Sequence, residues 1–92
     1  MSYAVEFTPK ALEGIDKFKK SGNKPLLRKI RNTLDELTEH PYTGTGQPEQ
    51  LKHNLAGFWS RRINQEHRII YAVDESKVTV TVVSAKGHYT PS

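Results

Sequence analysis

Cysteine is absent from the 92 residues, which excludes a disulfide, a thiolate zinc site and a cysteine nucleophile. Long apolar runs are missing too. The first strand-like stretch, Tyr3 to Phe7, is already interrupted by Glu6, so neither a signal peptide nor a membrane span is expected near the N-terminus. We therefore expect a protein of the cytoplasm with no membrane partner. Acidic residues are scarce in one place: from Pro41 to Gln65 the sole carboxylate is Glu49. A chain of this length holds one modest hydrophobic core, so residues 1–92 are read as a single domain.

Fourteen Lys and Arg against ten Asp and Glu give a formal charge of +4. The total is a weak argument for a polyanionic partner, and the distribution is a better one. Between Leu51 and Val73 stand four cations (Lys52, Arg61, Arg62, Arg68) and one anion, Glu66, with His53 and His67 beside them. Charge alone leaves an RNA or DNA surface and a solvated face equally open.

Tyr3, Val5 and Phe7 alternate with Ala4 and Glu6, the period-2 pattern of a strand. Thr8-Pro9 reads as an N-cap with proline at the first helical position, followed by Ala11, Leu12, Ile15 and Phe18 at helical spacing. After Ser21-Gly22-Asn23 a second helix places Leu26, Leu27, Ile30, Leu34 and Leu37 on one face, with Asp35 and Glu36 largely off it, and stops at His40-Pro41. Past the loop Thr43-Gly44-Thr45-Gly46, three strands are expected at Phe58 to Ile63, His67 to Val73 and Lys77 to Ser84. In the last, Val78, Val80 and Val82 share a face. The order is β-α-α-β-β-β, with room for a further short strand near Leu51 to Leu55. We expect an α+β fold in which two antiparallel helices cover one face of an antiparallel sheet and leave the other for a ligand.

Alternation puts Arg68 on the face of Ile70, opposite His67, Ile69 and Tyr71, and Arg62 on the face of Phe58 and Ser60, opposite Trp59, Arg61 and Ile63. One of Phe58 and Trp59 therefore belongs to the core. At most one of Arg61 and Arg62 can meet a given phosphate; otherwise both are solvated, or Arg61 stacks on an aromatic ring. Glu49 is either a salt-bridge partner or a general base. In RNA the 2′-hydroxyl is a built-in nucleophile, so cleavage needs a base there, positive charge at the phosphate and a proton for the departing 5′-oxygen. A Glu, an Arg or Lys and a His supply these without a metal or other cofactor. An imidazole such as His88 titrates near neutrality, which suits acid work. No P-loop, metal-ligand spacing among the histidines, or hydrolase nucleophile motif is present.

The run Lys52-His53-Asn54-Leu55-x-Gly57-Phe58-Trp59-Ser60-Arg61-Arg62-Ile63-x-x-Glu66-His67-Arg68-x-x-Tyr71, flanked by Pro48-Glu49 and His88-Tyr89, resembles the signature of the YoeB (Txe) branch of the RelE/ParE superfamily of bacterial toxins. The resemblance covers about half of the chain. It implies a microbial-ribonuclease-like fold and a toxin of a type II toxin-antitoxin system that cleaves mRNA in the ribosomal A site, leaving a 2′,3′-cyclic phosphate. By position it makes Glu49 the general base, Arg68 the transition-state stabiliser and His88 the general acid. Tyr89 would orient the substrate, and Lys52 and Arg62 would complete the phosphate clamp. The partners it implies are a YefM-type antitoxin, the ribosome with its mRNA, and operator DNA contacted through the antitoxin; a homodimer is left open. The chain departs from the pattern in having Gly87 before His88-Tyr89 and Thr90-Pro91-Ser92 after them.

Two other readings stand beside this one. A ParE-like protein would inhibit DNA gyrase without cutting anything, although it would have no need of the Glu, Arg and His set. A plain RNA-binding module would stack bases on Phe58, Trp59 or Tyr71.

Overall fold

The computed structural model describes residues 2–85. Strand β1 (Ala4–Phe7) leads into helices α1 (Pro9–Ser21) and α2 (Lys24–Leu37); β2 (Glu49–Gln50), a 3-10 turn at His53–Leu55, β3 (Phe58–Arg62), β4 (His67–Asp74) and β5 (Lys77–Ala85) follow. The five strands form one sheet in the order β1-β5-β4-β3-β2. Both helices lie on one of its faces, as the amphipathic spacing requires.

Local chemistry sets the helix ends. Thr8 has an extended backbone, its Oγ1 accepts the Ala11 N–H at 3.2 Å, and Pro9 occupies the position whose N–H has no helical partner. The same hydroxyl donates to the Thr81 carbonyl at 2.8 Å, which ties the start of α1 to β5. Gly22 (φ 73°) closes α1 in the left-handed region, and Asn23 Oδ1 accepts the Leu26 N–H at 3.1 Å to open α2. Helix α1 comes very close to the sheet: a Cβ on Gly14 would lie 2.4 Å from the Val83 carbonyl oxygen. The core is Ala11, Leu26, Ile30, Leu37, Ile63, Ile69, Tyr71, Val78, Val80 and Val83.

The expected sheet requires four corrections of detail. It is mixed, because β1 pairs parallel with β5 (Ala4↔Lys77 to Phe7↔Val80) while the other pairings are antiparallel. A period-2 pattern identifies a strand but carries no direction. The direction of β1 follows from delivering α1 at Thr8 onto the face of β5. The extra short strand is Glu49–Gln50, and residues 53–55 turn instead. On α1, Leu12 is 53% exposed, so the helix meets the sheet through Ala11, Gly14, Ile15 and Phe18. In β5 the alternation breaks. Ile70 pairs with Val82 but Tyr71 with Val80, so Thr81 is an extra residue and Val83 continues the core face begun by Val78 and Val80. The Thr81 hydroxyl donates to the Ile70 carbonyl at 3.0 Å within this bulge.

Candidate functional site

Strand register gathers the charged residues on the sheet face away from the helices. Arg62 and Arg68 are directly opposite each other on β3 and β4, and Glu49 on β2 is opposite Ser60, two residues along β3 from Arg62. Directly opposed residues have Cβ atoms about 4.5–5.5 Å apart, and diagonal neighbours are about 7–8 Å apart. Two arginines and a carboxylate therefore lie within reach of one dianionic or monoanionic group. Glu49 and Arg62 are exposed and Arg68 is half-buried. Among the described residues none of the three enters an ion pair. The salt-bridge reading of Glu49 has no partner there. Like charges opposed across a ladder are unfavourable, so the Arg62 and Arg68 pair costs stability unless an anion lies between them.

Lys52 is exposed and sits just past β2, at the start of the 3-10 turn, so it belongs to the rim of the site by chain position and not by strand register. His88 and Tyr89 lie outside the described residues. Near the middle of the same sheet face Ser60 and Ile70 are almost inaccessible, at 1% and 2%.

Arg61 goes to the other face, as alternation requires, and neither solvation nor stacking alone describes it. Its side chain is fully buried. Nη1 donates to Glu36 Oε1 at 2.9 Å, and Nη2 donates to the carbonyls of His40 at 2.7 Å and Thr43 at 2.6 Å. Its guanidinium carbon stands 5.9 Å from the Tyr71 ring centre. Glu36 in turn accepts the Thr45 N–H at 2.8 Å and the Thr45 hydroxyl at 3.1 Å. This arrangement fastens the loop between α2 and β2, the segment that delivers Glu49. Two glycines make it fit. At Gly44 (φ 111°) a Cβ would run into the Glu36 carboxylate, and at Gly46 (φ 83°) into the Arg62 carbonyl, which sits beside the 2.7 Å bond from the Arg62 N–H to the Gly46 carbonyl.

Sequence reasoning missed the role of Glu36, which looked like a solvated helix residue. One signal was available. An arginine that alternates onto the face of Trp59 and Ile63 needs a buried acceptor set, and only the fold says where it comes from. The Tyr71 hydroxyl donates to the Pro41 carbonyl at 2.6 Å, anchoring the same loop. Burial pushes the Tyr71 phenol above its usual range, against a smaller opposing effect of the Arg61 charge and hydrogen bond.

Other aromatics and histidines are committed elsewhere. Trp59 packs edge-on against Tyr42 at 5.1 Å on the helix side, and His67 packs edge-on against Phe18 at 4.9 Å. Tyr71 has no exposed surface, which leaves Phe58 as the aromatic of the three on the charged face. No group of three His, Asp or Glu among the described residues could hold a metal ion, and no described helix is long and apolar enough to cross a membrane.

Comparison with known proteins gives concordant matches. A family model described as the YoeB-like toxin of bacterial type II toxin-antitoxin systems matches residues 7–89. Toxin YoeB of Escherichia coli K12 is 42% identical over 67 residues, covering 73% of this chain and 77% of that protein. The solved YoeB/ParE toxin of Agrobacterium tumefaciens superposes with a TM-score of 0.84 at 30% identity, over 94% of this chain and 99% of that one. In the heterotetrameric YoeB-YefM toxin-antitoxin complex of Staphylococcus aureus, a chain 36% identical to this one superposes with a TM-score of 0.78, over 97% and 100% of the two chains.

Proposed function

Because the chain belongs to the family of YoeB-like toxins of bacterial type II toxin-antitoxin systems, we propose that it is a ribosome-dependent endoribonuclease that cuts mRNA in the A site and thereby stops translation. The opposed Arg62 and Arg68 beside the lone carboxylate Glu49 are the observation that supports this reading. A binding surface would not need a base next to its cations, whereas RNA cleavage needs both.

In the proposed reaction Glu49 takes the proton of the 2′-hydroxyl, and the freed oxygen attacks the adjacent phosphorus. The O2′–P bond forms, and charge builds on the non-bridging oxygens. Arg68 and Arg62 stabilise that charge as fixed donors on a rigid ladder, which requires no reorganisation during the reaction. The P–O5′ bond then breaks, and His88 delivers a proton to the 5′-oxygen. The products are a 2′,3′-cyclic phosphate and a 5′-hydroxyl. Lys52 adds positive charge at the rim, and Tyr89 orients the substrate. The nucleophile belongs to the substrate, so the scheme needs no metal. The ribosome contributes the alignment of the 2′-oxygen with the phosphorus and the leaving oxygen, a term that can be worth several orders of magnitude in rate.

The partner we propose is a YefM-type antitoxin whose acidic or polar segment folds over the cationic face. The complex would contact operator DNA through the antitoxin, and the toxin would act in the cytoplasm.

The test is primer extension on a defined mRNA in a reconstituted translation system, with and without ribosomes. Cuts at the A-site codon only when ribosomes are present, lost in Glu49→Ala and Arg68→Ala, are expected. Intact mRNA in every lane, with supercoiling by gyrase inhibited, would replace this reading by the ParE-like one.

A further inference from the structure

Around the end of β3 from the charged face lies a cleft of about 490 Å³ walled by Lys29, Asn32 and Thr33 of α2, Thr45 and Gly46 of the anchored loop, and residues 62–65. Its size is that of a small-ligand site, though its walls are polar where such sites are usually apolar. Lys29 gives it positive charge, Arg62 joins the wall at the end of β3, and among the described residues no acidic one lines it. Glu36 of α2, which fastens that loop, is already neutralised by Arg61. Asn32, Asn64 and Gln65 add side-chain amides. Asn64 Oδ1 is committed, accepting the Glu66 and His67 N–H groups at 2.8 Å, so what Asn64 can offer the cleft is its NH₂. Lys29 is exposed and forms no ion pair among the described residues.

We infer that this cleft is a second nucleotide subsite, which holds a base and phosphate of the substrate strand next to the cleaved phosphodiester. The inference deepens the ribonuclease reading and takes the identity of its ligand from it. Continuity with the reaction site is direct. Arg62 belongs to both the cleft wall and the arginine pair, and Gly46 in the wall precedes Glu49 by three residues, a reach of at most about 11 Å. A strand leaving the Arg62 and Arg68 pair therefore meets the cleft within one or two nucleotides. The lining suits that ligand: a lysine for a phosphate, and amides for the hydrogen-bonding edge of an unstacked base. An acidic peptide would match the charge and could also hydrogen-bond the amides, so continuity with the arginine pair is what favours RNA, and a peptide is one outcome of the test.

The subsite can be tested apart from cleavage by using short single-stranded RNAs whose scissile nucleotide carries 2′-deoxyribose, which removes the nucleophile. With ¹⁵N-labelled wild-type protein, a five-nucleotide RNA is expected to shift the backbone amides of Thr45, Gly46 and Asn64 and the side-chain NH₂ signals of Asn32, Asn64 and Gln65. A dinucleotide spanning only the scissile bond should leave them in place. Lys29→Ala, checked for folding by its thermal melt, should weaken the five-nucleotide RNA about 5- to 10-fold. It should also reduce the salt dependence by roughly one phosphate's worth, a slope change of about 0.7. Unmoved cleft signals at millimolar RNA, an unchanged affinity and slope in Lys29→Ala, or a larger response to an acidic peptide than to RNA would each overturn the subsite. Cleft shifts from RNA together with intact mRNA in the ribosome assay would uphold the subsite and overturn the cleavage reading; the reverse pattern would do the opposite.

Discussion

Arg61 and Glu36, 25 residues apart in sequence, form an ion pair of 2.9 Å between β3 and α2, with the arginine side chain fully buried and the carboxylate 26% exposed. Their side chains also hydrogen-bond the loop between α2 and β2, at His40, Thr43 and Thr45. One pair thus sets the path of the chain that ends in Glu49.

Removing either member leaves the other charge without its partner in a poorly hydrated place. Arg61→Ala should cost about 3–5 kcal/mol in urea-induced unfolding, the usual scale for a broken buried pair. A cost below about 1 kcal/mol would mean that the loop holds its shape without Arg61.

Gly14→Ala separates local propensity from tertiary packing. Within a helix, alanine is favoured over glycine by about 1 kcal/mol. Here the added Cβ would lie 2.4 Å from the Val83 carbonyl oxygen, and backbone atoms on both sides cannot swing away. We expect a net loss of about 1–3 kcal/mol, the range for overpacking. A rise in melting temperature would show that α1 does not approach β5 this closely.

The Tyr71 phenol is shifted upward by burial, so the folded protein keeps its proton at pH values where the unfolded chain, near the usual value of about 10, has lost it. The stability tied to this group is fully present below pH of about 10 and is lost as the pH climbs from there towards the folded-state value. Urea unfolding of the wild type at pH 8.5, 9.5 and 10.5 should show that decline. Tyr71→Phe should show less of it, after an initial cost of about 1–3 kcal/mol because the Pro41 carbonyl loses its donor. Equal declines in the two proteins would assign the effect to other groups.

Arg62→Ala should have opposite effects on folding and on function. Relief of the cross-strand repulsion with Arg68 is expected to leave stability unchanged or raise it by about 0.5 kcal/mol. Loss of one fixed positive charge from the phosphate site should slow A-site cleavage by about 10²-fold, the order measured for single electrostatic donors elsewhere. Parallel loss of stability and cleavage would make Arg62 a structural residue.

Much of this architecture was legible from period and punctuation. Thr8-Pro9, Gly22-Asn23, the β-branched run of β5 and the turns at Asn64-Gln65 and after Asp74 are decided by neighbours within four or five residues, and each element appears close to its expected bounds. Alternation likewise separated Arg62 from Arg61 on one strand and Arg68 from His67 and Ile69 on the next, because a strand's period of two is a property of the backbone, and the register then brought Arg62 and Arg68 to one face. The resemblance to a toxin family rested on a dense motif within a single stretch of chain.

Three features could not be read locally. The parallel docking of β1 joins residues more than seventy positions apart, and the bulge at Thr81 shows only as a mismatch between two strands. Pairing of Arg61 with Glu36 required α2 to be laid across β3 before a solvent-like helix residue could become an interior acceptor. Residue types and spacing determined which side chains face which way. Only the tertiary structure decided which of them meet, because contacts between distant segments depend on the packing of the whole sheet and not on any period within it.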